Sequence, residues 1–292
     1  MYIGRSWGED KSMAKPSRKV RVPDLLEMKR TTRKIAVLTA YDATMAGIMD
    51  GAGIDVLLVG DSLGMVVMGD DTTVGVTLDM MVHHCRAVSN GATRALIVAD
   101  MPFVSYHTGA PDAIRNAGRL MQHGRAEAVK IEGGASRCEV VRALTDAGIP
   151  VMGHLGLLPQ HVHRLGGYHA AGKSREEAEQ LVEDAHALEN AGAFALVLES
   201  IPADLARRVT SELAIPTIGI GAGAHCDGQV LVSYDAFGLF QDFVPRFVKR
   251  YADLGAAMTE ATRAYIDEVR SGTFPSAEHS IAAESAGASV TE

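Results

Sequence analysis

Cysteine is scarce and scattered: Cys85, Cys138 and Cys226 are the only three in 292 residues. They are too few and too far apart for a disulfide framework or a zinc knuckle, and a reduced, cytoplasmic setting is the expectation. No apolar stretch is long enough to cross a bilayer as a helix. There is no long basic run, and the formal net charge is -8, so neither nucleic acid nor an anionic membrane surface is an expected partner. The first two dozen residues have no apolar core, carrying instead Arg5, Glu9, Asp10, Lys11, Lys15, Arg18, Lys19 and Arg21, and are not expected to be a secretory signal. Nor does a Gly-x-Gly-x-x-Gly follow the first apolar run, which weakens a dinucleotide-binding reading. These absences leave a small molecule as the favoured partner.

Apolar residues are plentiful, at 47%, enough for one large core. They fall in short runs that alternate with helical stretches, the pattern of buried parallel strands. Seven strands are expected to begin near Ile35, Val56, Ala95, Ala128, Val151, Ala195 and Thr217. An eighth is supplied by Val230-Leu231-Val232 or by the stretch through Phe237-Gly238-Leu239, although Ala224 to Gln229 leaves little room for a helix before it. Between the strands, Asp42 is placed to cap a helix and Pro111 suits a first turn. Ser136 with Glu139 and Ser174 with Glu177 both have capping-box spacing. His83 and His84, adjacent on a helix outside the barrel, cannot face one ligand together and read as surface. The fold class expected is α/β, a single-domain (β/α)8 TIM barrel over residues 23–280, with a polar extension at 1–22 and a disordered tail at 281–292.

Four of the apolar runs end on an acid: Asp61, Asp100, Glu132 and Glu199. An acid just after a strand is often only a helix cap or a turn former. Four in the same place on parallel strands converge on one pocket, because a parallel α/β protein gathers its chemistry at the carboxyl ends of its strands. Lys130 lies two residues before Glu132 in a run that should be buried, which is costly unless the charges offset one another or a cation. Oxygen ligands alone suit a hard divalent cation. Mg²⁺ usually takes one or two protein carboxylates, so at least one of Asp61, Asp100 and Glu132 is expected to act through water. His154 ends the fifth strand at the same rim, either as a donor to a substrate oxygen or as a satisfied core histidine. The glycines of Gly219-Ile220-Gly221-Ala222-Gly223 either admit a phosphate to backbone amides or permit close packing.

The motifs Leu38-Thr39-Ala40-Tyr41-Asp42, Gly60-Asp61-Ser62-Leu63-Gly64, Asp100-Met101-Pro102-Phe103, Lys130-Ile131-Glu132-Gly133-Gly134, Gly153-His154-Leu155-Gly156 and Asp227-Gly228-Gln229 resemble those of the 3-methyl-2-oxobutanoate (ketopantoate) hydroxymethyltransferase family. The resemblance runs from Pro23 to about His279. It implies a cytoplasmic enzyme of pantothenate biosynthesis, a homo-oligomer and commonly a decamer. Its reaction moves a hydroxymethyl unit from 5,10-methylenetetrahydrofolate to 3-methyl-2-oxobutanoate, giving 2-dehydropantoate through a Mg-stabilised enolate. Carried over motif by motif, Asp61, Asp100 and Glu132 surround Mg²⁺, while Asp61, Ser62, Asp100, Lys130 and His154 meet the 2-oxo acid. Glu199 is then the proton acceptor; no motif marks the folate contacts. The chain departs from the family pattern at Leu158-Pro159-Gln160-His161-Val162-His163 and at Ala170-Ala171-Gly172, a stretch expected on the active-site rim. Three alternatives stand beside this reading: a related enolate-forming barrel of the phosphoenolpyruvate mutase or isocitrate lyase kind, a non-catalytic 2-oxo acid or folate binder, and a phosphosugar-binding barrel. The Lys-Lys-Cys-Gly-His signature of the lyase is absent.

Overall fold

The computed structural model describes residues 18–241 and 245–281. Where composition points to one domain over 23–280, these residues fall into two compact units: the first runs to Ser233 and includes Pro245–Val248, the second takes Tyr234 onward and resumes at Lys249. The tail expected at 281–292 lies, after Ile281, outside the described residues.

The first unit is a closed parallel barrel of eight strands in sequence order: β1 Ile35–Thr39, β2 Val56–Val59, β3 Leu96–Asp100, β4 Ala128–Glu132, β5 Val151–Gly156, β6 Ala195–Glu199, β7 Thr217–Ile220 and β8 Gly228–Leu231. Every residue of β2, β3 and β4 is buried, because helices cover the outer face of a parallel barrel while the inner face packs on itself. Val37, Leu58, Leu96, Met152, Val197 and Ile218 belong to the inner core, and each such side chain contributes about 1.5–3 kcal/mol relative to exposure. Val20, Leu25 and Met28 join that core. The boundary expected at residue 22 therefore falls inside folded chain: Val20 is buried, and Val22 opens a helix running to Arg30. Between β7 and β8 there is no α-helix; β8 is the Val230 run, not the one through Phe237.

Local signals hold in part. The Asp42 carboxylate caps Ala43–Gly51 by accepting the Met45 N–H, and Ser174 and Glu177 form a reciprocal capping box. The box expected at Ser136 and Glu139 does not form. A 3-10 turn at Ala135–Arg137 shifts the helix start to Cys138, and the Asp184 carboxylate from a later helix accepts the Ala135 N–H instead. His83 is exposed, but His84 is half-buried with Nδ1 2.7 Å from the Tyr41 carbonyl oxygen. The second unit contains the helix Leu254–Ser271, which ends at Gly272 in the left-handed region and is followed by Phe274, whose ring meets Tyr265 edge-on and His279 at a tilt. No described helix is long and apolar enough to cross a membrane.

Candidate active site

Strand register brings the rim residues side by side. Asp100 on β3 is level with Lys130 on β4, Glu132 is level with His154 on β5, and Gly156 is level with Glu199 on β6. Asp61 follows β2 by two residues, and its N–H donates to Asp100 Oδ2 at 3.1 Å. From there the contacts run on without a break. Lys130 Nζ lies 2.9 Å from Asp100 Oδ1 and 3.2 Å from His154 Nδ1. His154 in turn has Glu132 Oε1 3.6 Å from Nδ1 and Glu199 Oε2 3.1 Å from Nε2. Ser62, next to Asp61, has its Oγ 2.9 Å from the Tyr41 hydroxyl. Six of the predicted site residues thus form one connected set, with Ser62 beside it.

Burial decides how these groups behave. Asp61, Asp100, Lys130, Glu132 and His154 are each 5% exposed or less, whereas the Glu199 side chain keeps 16%. Burial, then the Asp100 and Glu132 charges, hold the Asp61 carboxyl well above the usual carboxylate range against the opposing pull of Lys130 and Gln160. Glu132 is held below its ordinary value despite burial, because His154, Lys130 and the Gln160 N–H all favour its charged form. His154 is held above its ordinary value: burial and Lys130 work against its charge, and the carboxylates of Glu132 and Glu199 outweigh them. Lys130 is raised for the same kind of reason, with Asp100, Glu132 and Asp61 outweighing burial. Acid outnumbers base in the pocket, and the crowding is relieved either by a proton on Asp61 or by a cation.

Two residues that motif reading passes over also reach the site. Gln160, 4% exposed, donates from Nε2 to Asp61 Oδ2 at 2.9 Å and to the Met101 carbonyl at 3.0 Å, while its own N–H reaches Glu132 Oε2 at 3.1 Å. Its Oε1 accepts from the Tyr106 hydroxyl at 2.7 Å. The loop expected on the rim therefore reaches the carboxylates through Gln160, and the altered positions around it make no hydrogen bond to them. The sequence signal was a Pro-Gln pair following a strand, which is weak. Tyr168, further along that loop, lies near the same acids: burial, then Asp61, Glu199 and Glu132, raise its hydroxyl above the ordinary value.

Glycines let backbone approach the site. A Cβ on Gly156, which has φ +98°, would run into the Glu199 carbonyl, and one on Gly60 would meet Ser62 Oγ at 2.8 Å. The Gly219–Gly223 loop uses its glycines for packing: a Cβ at Gly221 would meet the Phe247 ring at 2.9 Å, and one at Gly223 would meet Ala203 Cβ at 2.6 Å. That is the close-packing alternative, and it removes the main support for a phosphosugar site.

The donor set suits a hard cation. Among the described residues no three His, Cys, Asp or Glu side chains form a ready-made metal cage. Mg²⁺ does not need one, since one or two carboxylates with water and substrate oxygens fill its shell.

A closed parallel barrel with buried carboxylate, lysine and histidine side chains at its carboxyl rim has the architecture of a (β/α)8 enzyme. Solved structures share this fold. A 2,3-dimethylmalate lyase of the PEP mutase/isocitrate lyase superfamily matches with a TM-score of 0.56 at 19% identity, over 86% of this chain and 88% of its own. A phosphonopyruvate hydrolase in complex with oxalate and Mg²⁺ matches with a TM-score of 0.58 at 13% identity, over 89% and 93%. The ketopantoate hydroxymethyltransferase family model matches residues 19–277. Proteins named 3-methyl-2-oxobutanoate hydroxymethyltransferase from Moorella thermoacetica and Pelobacter propionicus are 56% and 53% identical, each over 92% of this chain and 99% of their own length. The chain belongs to the ketopantoate hydroxymethyltransferase family.

Proposed function

We propose that the chain transfers a hydroxymethyl unit from 5,10-methylenetetrahydrofolate to 3-methyl-2-oxobutanoate, giving 2-dehydropantoate, with Mg²⁺ as cofactor. In a member of this family, the observation that carries the reading is Glu199: it stays partly open while its neighbours are sealed, with its carboxylate 3.1 Å from His154 Nε2. A carbon–carbon bond at C3 of a 2-oxo acid requires loss of the C3 proton beside the ketone. Glu199 is the carboxylate of the set with room for substrate, and the His154 imidazole lies against one of its oxygens. Lys130 offers its ammonium to the carboxylate of the oxo acid, and Ser62 adds a hydroxyl donor. The C3 carbanion bonds to the methylene carbon of the donor, both methylene–nitrogen bonds break, one water supplies the oxygen of the new CH₂OH group, and the C3 proton and the proton left from that water end on the two nitrogens of tetrahydrofolate.

Asp61, Asp100 and Glu132 would hold Mg²⁺, at least one of them through water. Bound there, the ion supplies a Lewis acid for the substrate oxygen on which negative charge develops. The raised Asp61 carboxyl supports this assignment, because a cation is what a crowded set of buried acids accommodates best. A cytoplasmic homo-oligomer, by family resemblance a decamer, completes the proposal.

Two measurements test it. Enzyme, Mg²⁺ and both reactants should yield 2-dehydropantoate, and no product would overturn the reading. In D₂O without folate, the C3 proton of 3-methyl-2-oxobutanoate should exchange with solvent. Glu199→Gln is expected to slow that exchange by roughly 10²–10⁴-fold while substrate affinity stays nearly intact. Exchange at the normal rate would move the role of base to another group.

A further inference from the structure

The segment after β3 leaves the rim with a strained backbone. Val104 sits at φ 69°, a conformation that a β-branched residue holds only where its surroundings force it. Beside it Phe103 keeps 38% of its surface exposed, unusual for a large aromatic so near a buried site. The Phe103 ring lies 5.6 Å from the His107 ring, which in turn lies 4.2 Å from Tyr106. The Arg137 guanidinium stands 5.9 Å over the Tyr106 ring. Tyr106 is bonded to Gln160, and Gln160 to Asp61, so this aromatic ledge adjoins the reaction site.

The ledge carries buried nitrogens with no partner. His107 Nδ1 and Arg137 Nε are both buried without a hydrogen-bond partner, and Arg137 forms no ion pair among the described residues. A buried donor without an acceptor costs about 1–3 kcal/mol. His161, on the 3-10 turn Pro159–His161, adds a second imidazole close enough to act on His107. Burial, then Arg137 and His161, hold His107 below its ordinary value. Glu132, whose charge acts on His107, already accepts the Gln160 N–H and faces His154. An acceptor arriving from outside would satisfy the Arg137 Nε–H, and with it His107 Nδ1 in the tautomer that carries its proton there. The oxo acid does not fill that role, since its carboxylate is matched by Lys130 at the pocket floor.

We propose that Phe103, His107, Arg137 and His161 form a subsite for the aryl-glutamate part of the one-carbon donor. The exposed Phe103 takes the aryl ring, and Arg137, flanked by the two histidines, takes a glutamate carboxylate. An aromatic face beside the Arg137 cation fits a ligand that joins an aromatic amide to an anion, and a bare anion leaves the Phe103 face unused. This subsite rests on the reading that the donor is a folate.

The test uses the full chain with Mg²⁺ and N-(4-aminobenzoyl)-glutamate as probe. The probe should bind in calorimetry and compete with methylenetetrahydrofolate but not with the oxo acid. Arg137→Gln should raise the donor KM and weaken probe binding by roughly 10- to 100-fold, as expected for losing a charge-assisted pair. The oxo acid KM should hold, and donor-free deuterium exchange should keep its rate. His161→Gln should give a smaller change in the same direction, Arg137→Lys should recover part of the loss, and the donor KM should climb with ionic strength. An unchanged donor KM in both Arg137→Gln and His161→Gln overturns the subsite, and so does an equal rise in both substrates' KM. Inorganic phosphate competing with donor as well as the probe does would overturn the aryl-glutamate assignment. If the unmodified protein shows no turnover, the functional reading fails separately, and probe binding that Arg137→Gln abolishes would still support the ledge as a site.

Discussion

Replacing Gln160 by alanine removes the residue that ties three parts of the rim together. Its side chain makes hydrogen bonds to Asp61 Oδ2, the Met101 carbonyl and the Tyr106 hydroxyl at 2.9, 3.0 and 2.7 Å, all sealed from solvent. Without it, three buried groups lose a partner, and Asp61 loses a donor that opposes the charges of Asp100 and Glu132. An unmade buried hydrogen bond costs about 1–3 kcal/mol, but water entering the vacated space recovers part of it, so a total near 3 kcal/mol is expected. In a domain of this size each kcal/mol moves the melting temperature by about 2–4 °C, giving a fall of about 6–12 °C. Calorimetric melting of the metal-free protein measures it. A shift under about 2 °C would refute the claim that Gln160 is a structural keystone of the site. Mg²⁺ titration adds a second readout: affinity should fall along with stability, because the Gln160 side chain orients Asp61.

Asp61→Asn separates binding from folding. A carboxyl whose folded value is raised loses stability as pH climbs from its unfolded value through its folded one, so the metal-free wild type should weaken over that window while the variant does not. Denaturant midpoints against pH check this, and a variant less stable than wild type at alkaline pH would contradict it; Mg²⁺ binding should be lost in either case. Asp50 predicts the opposite slope. Buried at 7% exposure, it accepts the N–H groups of Thr93, Arg94 and Ala95, and these bonds outweigh burial to hold its carboxyl below the ordinary value. Its contribution is therefore present above the unfolded pKa and lost as pH falls through the folded one. Asp50→Ala should cost about 2–3 kcal/mol at neutral pH and flatten the acid limb of the stability profile, read by urea unfolding. For assembly, the protein should sediment as a large homo-oligomer, and a monomer at micromolar concentration would refute the decamer.

The amino-acid sequence by itself determined the barrel and most of its rim. Buried parallel strands have to be short apolar runs, so an acid or a lysine at the end of such a run stands out, and Asp100, Lys130, Glu132 and Glu199 were legible for that reason. Only the tertiary structure decided how those charges were distributed. Strand register sets Asp100 against Lys130 and His154 between Glu132 and Glu199, and register follows from barrel closure. Gln160 was illegible because its partner Asp61 lies 99 residues away, and no local pattern marks a loop residue that folds inward. The missing cap at Ser136 has the same origin: a carboxylate 49 residues on, at Asp184, takes the Ala135 N–H and overrides the local signal. No local pattern marks Arg137, and only folding reveals that its Nε is buried without a hydrogen-bond partner while its guanidinium stands over Tyr106, since burial depends on which loops come together above the strands.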